Sequence, residues 1–168
     1  EEEPGTRLSN LDYAPLAECM GRLPWAAEVF NCSAPDTGNI ELLHRFSSAE
    51  QRSEWLDPLL GGRIRSAFAM SEPDVASSDP TNLQTTVQRD GEDLVLSGRK
   101  WFITGAEGAQ IFILVARTST DARKGLTAFL FEAGDPGWQI LRRIPIMGPE
   151  EHGGHCELEF DGLEIPDE

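Results

Sequence analysis

Positive charge, cysteine and long apolar runs are all scarce in this 168-residue chain. Lys and Arg number 14 against 29 Asp and Glu, a formal net charge of −15. DNA, RNA and anionic bilayers are bound by clustered cations that displace counterions, so a chain this acidic is not expected to take any of them as a partner. The deficit is uneven. Residues 1–62 carry 4 basic and 11 acidic side chains, residues 63–149 carry 10 of each, and residues 150–168 carry 8 acids and no Lys or Arg. The neutral middle is compatible with a small phosphorylated ligand held by local groups. Cys19, Cys32 and Cys156 share no metal or disulfide spacing, which predicts free thiols in a reducing compartment. No apolar run approaches the roughly 20 residues of a membrane-spanning helix. Ser-His-Asp, Cys-His and P-loop patterns are missing too, as are internal repeats and low-complexity segments.

What is present reads in two textures. Up to Gly62 the pattern is helical. Leu11, Ala14, Leu16, Ala17, Met20 and Leu23 mark one apolar face. The spacing predicts a second helix over Asp36 to Phe46 with Ile40, Leu42 and Leu43 inward. Ser47 with Glu50 has capping-box spacing and predicts a third helix that turns Trp55, Leu56 and Leu59 to one side and stops at Gly61-Gly62. Beyond Gly62, strands are expected over residues 64–71, 83–89, 93–104, 110–117, 126–132, 138–143 and 155–160, rich in Val, Ile, Thr, Leu and Phe. Asp90-Gly91 is a hairpin signal and Gly134-Asp135-Pro136-Gly137 a turn. The expected fold class is α+β: helices over residues 1–62, then an antiparallel β-sandwich or barrel over residues 63–168.

Two segments carry the chemistry. Phe68-Ala69-Met70-Ser71-Glu72-Pro73-Asp74-Val75-Ala76-Ser77-Ser78-Asp79 is an apolar strand end running into a polar turn of small residues. Phe68, Ala69 and Met70 would offer backbone N–H and C=O groups at that end. Ser71 adds a hydroxyl, Pro73 stiffens the turn, Ala76 permits close backbone approach, and Ser77 and Ser78 can donate to phosphate oxygens. Two strands later, Gly98-Arg99-Lys100-Trp101-Phe102-Ile103-Thr104-Gly105 is an aromatic strand ending in Thr-Gly. Side by side, the two would set hydroxyl and N–H donors against an aromatic wall, a surface suited to a flat polar-edged ring with a phosphate tail. In a regular strand, Trp101 and Phe102 point to opposite faces, and Trp101 is then expected in the core.

Together the segments resemble the flavin-binding core of the acyl-CoA dehydrogenase family, whose members carry a T-E-P-x-x-(x)-G/S-S-D turn and, about two strands on, a W-I-T strand. The turn here is Ser71 to Asp79 and the strand Phe102-Ile103-Thr104. The resemblance implies an N-terminal helical domain followed by a middle β domain, with the family's C-terminal four-helix bundle lying outside this chain. It implies FAD as cofactor and α,β-dehydrogenation of acyl-CoA thioesters, of the fatty acid β-oxidation type. Electrons would pass to an electron-transfer flavoprotein. A homo-oligomer is implied for the full-length protein, soluble in a bacterial cytoplasm or a mitochondrial matrix. Ser71 takes the position of the Thr that bonds the pyrimidine side of the flavin. Ser78 takes that of the Ser near the pyrophosphate and the acyl-CoA. Phe102 takes that of the Trp lying against the ring, and Thr104 that of the Thr bonding the reactive ring nitrogen. The turn is one residue longer than the common form, so Ser77 and Ser78 both stay candidates for the pyrophosphate. The resemblance places the catalytic carboxylate in the bundle, so no catalytic base is named here.

The remaining polar groups have plainer readings. His152-Gly153-Gly154-His155 lacks further residues at ligand spacing, so no metal is expected. His44 sits alone on a helix, Arg142-Arg143 and Arg123-Lys124 read as solvated charges with one member of either pair open to a CoA phosphate, and Glu72 reads as structural. Two other classes fit the same residues: a different flavoenzyme of this fold, of nitroalkane oxidase or flavin monooxygenase type, and a non-catalytic β-domain interaction module.

Overall fold

The computed structural model describes residues 8–77, 79–121, 124–147 and 154–166. It divides into two compact units, residues 1–33 and 34–168. In the first, α1 spans Asn10–Met20 and α2 spans Ala26–Val29. The Ser9 hydroxyl accepts from the Asp12 N–H at 3.2 Å, satisfying one of the donors that a helix start leaves free. The expected apolar face of α1 is not buried: Leu11 and Leu16 are 83% and 49% exposed.

The second unit starts with α3 (Asp36–Phe46), then a continuous run of α4 (Ala49–Gln51), a π-helical turn (Arg52–Leu56) and α5 (Asp57–Leu60). Leu43, Leu56 and Leu59 form a small buried cluster, with Ile40, Trp55, Ile64 and Leu130 packed on it. The capping box forms one residue later than the spacing suggested. Ser48 Oγ accepts from the Gln51 N–H, and the Gln51 side chain accepts from the Ser48 N–H. Gln serves this reciprocal bond as Glu does, and Ser47 instead donates back to the Leu43 carbonyl at the end of α3. A polar knot ties α3 to the sheet: buried Asp36 accepts from the Ser66 N–H at 2.9 Å, the Ser66 hydroxyl at 2.6 Å and Arg65 at 3.0 Å.

Seven strands follow among the described residues: β1 (Ser66–Ala69), β2 (Thr86–Asp90), β3 (Asp93–Thr104), β4 (Ile111–Arg117), β5 (Leu126–Glu132), β6 (Trp138–Arg143) and β7 (His155–Pro166). They form one sheet in the order β1-β4-β2-β3-β7-β6, with β5 added to β4. The sheet is mixed rather than wholly antiparallel. β1 runs parallel to β4, and β2 meets β4 through one parallel pair, Thr86 with Arg117. The topology explains this. β5 occupies one edge of β4 from end to end, so β1 and β2 share the other edge. β2 resumes the direction of β1 after the loop 70–85, the hairpin at Gly91 reverses the chain into β3, and the return into β4 is therefore parallel to both.

β7 runs on past Phe160, the end of the expected strand, through a bulge: Leu96 pairs with Leu163 and Ser97 with Asp161, leaving Gly162 unpaired at φ +76°. Gly137, at φ +91°, comes so close that an added Cβ would lie 2.4 Å from the Gly162 oxygen. Next to this contact Trp138, Phe112, Phe131 and Phe160 interlock, with Phe112 and Phe131 stacked at 4.7 Å. Gly137→Ala should therefore lower unfolding free energy by about 1–3 kcal/mol in urea titration, through backbone strain and overpacking. Gly134→Ala, with nothing within 4 Å of the new methyl, should leave the midpoint nearly unchanged.

Candidate functional site

The loop between β1 and β2 leaves the sheet at one place and is fastened at both of its ends. At the near end, the Lys100 ammonium on β3 donates to the Met70 carbonyl and to Glu72 Oε1, each at 2.8 Å. Glu72 also accepts from the N–H groups of Gln84 and Thr85 at 2.7 and 2.9 Å. At the far end, Arg117 on β4 donates to the carbonyls of Leu83 and Thr81 at 2.8 and 2.7 Å. Within the loop, Ser77 Oγ accepts from the Glu72 N–H at 2.7 Å, and Asp79 accepts from the Thr81 N–H and hydroxyl. Those two bonds hold the exposed Asp79 carboxyl below its ordinary value.

Lys100 is wholly buried and Glu72 nearly so, with side chains 0% and 5% exposed. Burial pushes the Glu72 carboxyl up, but the Lys100, Thr85 and Gln84 donors outweigh it and hold the group below the usual glutamate value. Burial draws the Lys100 ammonium down against the upward pull of Glu72. The cost of burial thus falls on the lysine, because the carboxylate collects more partners.

The turn meets β3 through the backbone as well: the Trp101 N–H donates to the Ser71 carbonyl at 2.9 Å. At this point β3 is irregular. Lys100 pairs with Leu158 and Ile103 with Cys156, so one extra residue is looped out between them. Phe102 adopts φ +53°, a left-handed conformation that costs a non-glycine residue about 1–3 kcal/mol. The bulge overturns the expectation that Trp101 and Phe102 point to opposite faces. Their rings lie edge to face at 5.0 Å, Trp101 is half-buried rather than core, and Phe102 is 46% exposed. Regular pairing resumes with Thr104 opposite His155, and the Thr104 hydroxyl and His155 Nδ1 are 2.9 Å apart.

The structure therefore brings Met70, Ser71 and Trp101 to Thr104 into one neighbourhood. The Ser71 hydroxyl has no hydrogen-bond partner among the described residues and is half-buried. Ala69 and Ile103 are buried in the main core, so they could reach a ligand only through their backbones, while Phe68 is half-buried. Ser77's hydroxyl is engaged inside its own turn. Ser78 lies outside the described residues, as do His152 and Arg123. A shallow groove lined by Gly137, Trp138, Gln139, Glu159 and Asp161 is on β6 and β7 and includes none of these residues.

Sequence reasoning missed Lys100, Arg117 and His155. A lysine in alternation with Leu94 and Leu96 on one face of a strand was the available signal for the first. Among the described residues no cluster of His, Cys, Asp or Glu has metal-site geometry, and no helix is long and apolar enough to cross a membrane.

Removing one member of the buried pair strands the other charge. Lys100→Met should cost about 3–5 kcal/mol of unfolding free energy at pH 7, measured in urea. A carboxyl held below its unfolded value stabilises the fold above that value, near 4.3 for Glu, and the stabilisation is lost as pH falls through the lower folded value. Wild-type stability should accordingly drop below about pH 4, and Glu72→Gln, less stable at pH 7, should show a shallower acid slope.

The comparisons with known proteins agree on one family. Residues 67–163 match the model of the acyl-CoA dehydrogenase middle domain. The chain is 47% identical over 164 residues to the probable acyl-CoA dehydrogenase FadE2 of Mycobacterium tuberculosis, covering 95% of this chain and 40% of that protein. A solved structure of a putative acyl-CoA dehydrogenase from Mycobacterium abscessus superposes with a TM-score of 0.88 at 47% identity, over 95% of this chain and 40% of that one. A glutaryl-CoA dehydrogenase from Mycobacterium smegmatis, solved in complex with FADH2, superposes with a TM-score of 0.65 at 30% identity, over 76% of this chain and 32% of that one. The chain thus spans about two fifths of the first relative's length. With the mixed sheet and the fastened turn beside β3, these matches establish that the chain belongs to the acyl-CoA dehydrogenase family.

Proposed function

We propose that this chain is the flavin-facing portion of an FAD-dependent enzyme that dehydrogenates acyl-CoA thioesters between Cα and Cβ, as in fatty acid β-oxidation. The observation that supports this most is the 2.9 Å bond from the Trp101 N–H to the Ser71 carbonyl, which holds the 71–79 turn against the Phe102–Thr104 strand. The side chains suit the cofactor. Ser71 offers a hydroxyl that no described residue uses, Thr104 a second hydroxyl, and Phe102 an exposed aromatic face held outward by its bulge. FAD would supply the two-electron acceptor.

In this proposal Phe102 stands in for the family's Trp as one wall for the ring, keeping the aromatic surface without the indole N–H. The Ser71 hydroxyl serves the pyrimidine side, and the Thr104 hydroxyl the reacting nitrogen. Ala69, Met70 and Ile103 act through the backbone. Because Ser77's hydroxyl closes its own turn, the pyrophosphate and the acyl-CoA fall to Ser78. Glu72, locked to Lys100, is no general base; that carboxylate belongs to the C-terminal bundle of the whole protein. The helices before Gly61-Gly62 belong with the family's N-terminal domain, and the residues after it with the middle domain. An electron-transfer flavoprotein as acceptor, homo-oligomeric assembly and a bacterial cytoplasmic or mitochondrial matrix setting complete the reading.

Absorbance and turnover test it. The 168-residue chain alone should hold FAD weakly and reduce no acceptor, since it lacks the carboxylate whose help is typically worth about 10²–10⁴-fold. Extended by the C-terminal remainder its relatives carry, it should turn yellow and act on acyl-CoA. In that longer protein Thr104→Ala should slow flavin reduction by about tenfold, the size of one lost hydrogen bond, while acyl-CoA affinity changes less. A longer protein that stays colourless, or a 168-residue chain that turns over an acyl-CoA, would contradict the reading.

A further inference from the structure

We propose that His155 is a positioning residue that sets which way the Thr104 hydroxyl directs its single proton, and so which oxidation state of a bound flavin the site favours. This rests on the flavin reading above and adds a residue to it. Thr104 and His155 are the last registered pair of the β3–β7 ladder, so their side chains leave the same face of the sheet, with Oγ1 and Nδ1 2.9 Å apart. The backbone holds both in place: the Gly105 N–H donates to the Gly154 carbonyl at 2.8 Å, and the Ile144 N–H to the His155 carbonyl at 2.6 Å. Each side chain is half-buried, within reach of a ligand and shielded from bulk water on one side.

A threonine hydroxyl has one proton to donate. If His155 Nδ1 is bare, the proton goes to the ring and Thr104 can only accept from a ligand. If Nδ1 carries a proton, the histidine donates and the threonine proton is released toward the ligand. The redox nitrogen of a flavin accepts a hydrogen bond when oxidised and bears N–H when reduced. A bare Nδ1 therefore matches the reduced ring, and a protonated Nδ1 the oxidised one. No new bond is made or broken; the histidine biases the equilibrium through the direction of one hydrogen bond.

The charged groups on the elements around His155 are Glu157 on β7, Arg142 and Arg143 on β6, Arg99 on β3 and Glu107 in the turn after β3. They pair with one another: Arg142 with Glu157 at 2.7 Å, Arg99 with Glu157 at 3.5 Å, and Arg143 with Glu107. Among the described residues the imidazole Nδ1 pairs with the Thr104 hydroxyl.

The test is the midpoint potential of the FAD-loaded full-length protein, compared between wild type, His155→Asn, His155→Leu and Thr104→Val. Asn keeps a hydrogen-bonding group at the Nδ1 position. His155→Asn should bind FAD, and hold the ratio of affinities for reduced and oxidised FAD, within about threefold of wild type. His155→Leu should change that ratio by about three- to tenfold. In the chain without cofactor, the His155 imidazole ¹⁵N shifts should move in Thr104→Val. If Thr104→Val changes the flavin spectrum but His155→Leu keeps the ratio, the role of His155 is overturned while the flavin reading stands. If Thr104→Val leaves spectrum and potential unchanged, the flavin reading of Thr104 fails and takes this inference with it. Unmoved imidazole shifts would overturn it without any cofactor.

Discussion

A single buried ion pair, Lys100 with Glu72, carries the arrangement on which the candidate site depends. Two charges are taken out of water at a desolvation cost of several kcal/mol each, which only close geometry and further hydrogen bonds can offset. Those bonds are present. Glu72 gathers Lys100 and two backbone N–H groups, and Lys100 divides its donors between Glu72 and the Met70 carbonyl. The pair thereby joins three pieces of chain: the end of β1, the segment before β2 and the middle of β3. An apolar contact could fill the same space, but it would not satisfy the loop's buried N–H groups.

The strain beside the pair follows from that anchor. Once Lys100 points inward to Glu72 and Ile103 inward to the core, two residues must bridge a span that regular pairing gives to fewer. The excess is absorbed at Trp101 and Phe102, where β3 bulges and Phe102 turns to positive φ. An aromatic residue at +53° with nearly half its surface exposed is costly both in backbone strain and in hydration. Such outliers persist where the surroundings over-determine them, and here the constraints are the ion pair on one side and the Thr104–His155 pair on the other.

Much of the fold was legible because it rests on local signals. Strands 93–104, 126–132 and 138–143 and the helix 36–46 have the expected bounds, since alternation, glycine turns and helical spacing are all short-range. The parts that were not legible depend on distant partners. The strand expected to end at residue 160 runs on to Pro166 through a bulge at Gly162, because β3 continues to pair past it. The edge of β4 that β1 takes is the one β5 leaves open. The turn and the strand that make up the motif do meet, at Ser71 and Trp101, but the bulge was not legible, because the period of two that assigns faces fails wherever one residue is looped out. Likewise, Ser77 carries a suitable hydroxyl by type, yet only its position shows that hydroxyl folded back into the turn.

The central claim is that the Lys100–Glu72 pair holds the 71–79 turn against β3. Amide hydrogen exchange in Glu72→Gln tests it most directly. The Trp101 N–H reports the contact to Ser71, the Gln84 and Thr85 N–H groups report the bonds to Glu72, and β4–β5 amides serve as an internal reference. The account predicts that Trp101, Gln84 and Thr85 lose protection together, by about tenfold or more relative to β4–β5, the scale of a broken charge-assisted hydrogen bond. Unchanged protection at Trp101, with Gln84 and Thr85 alone affected, would contradict it and show that the turn meets β3 without the ion pair.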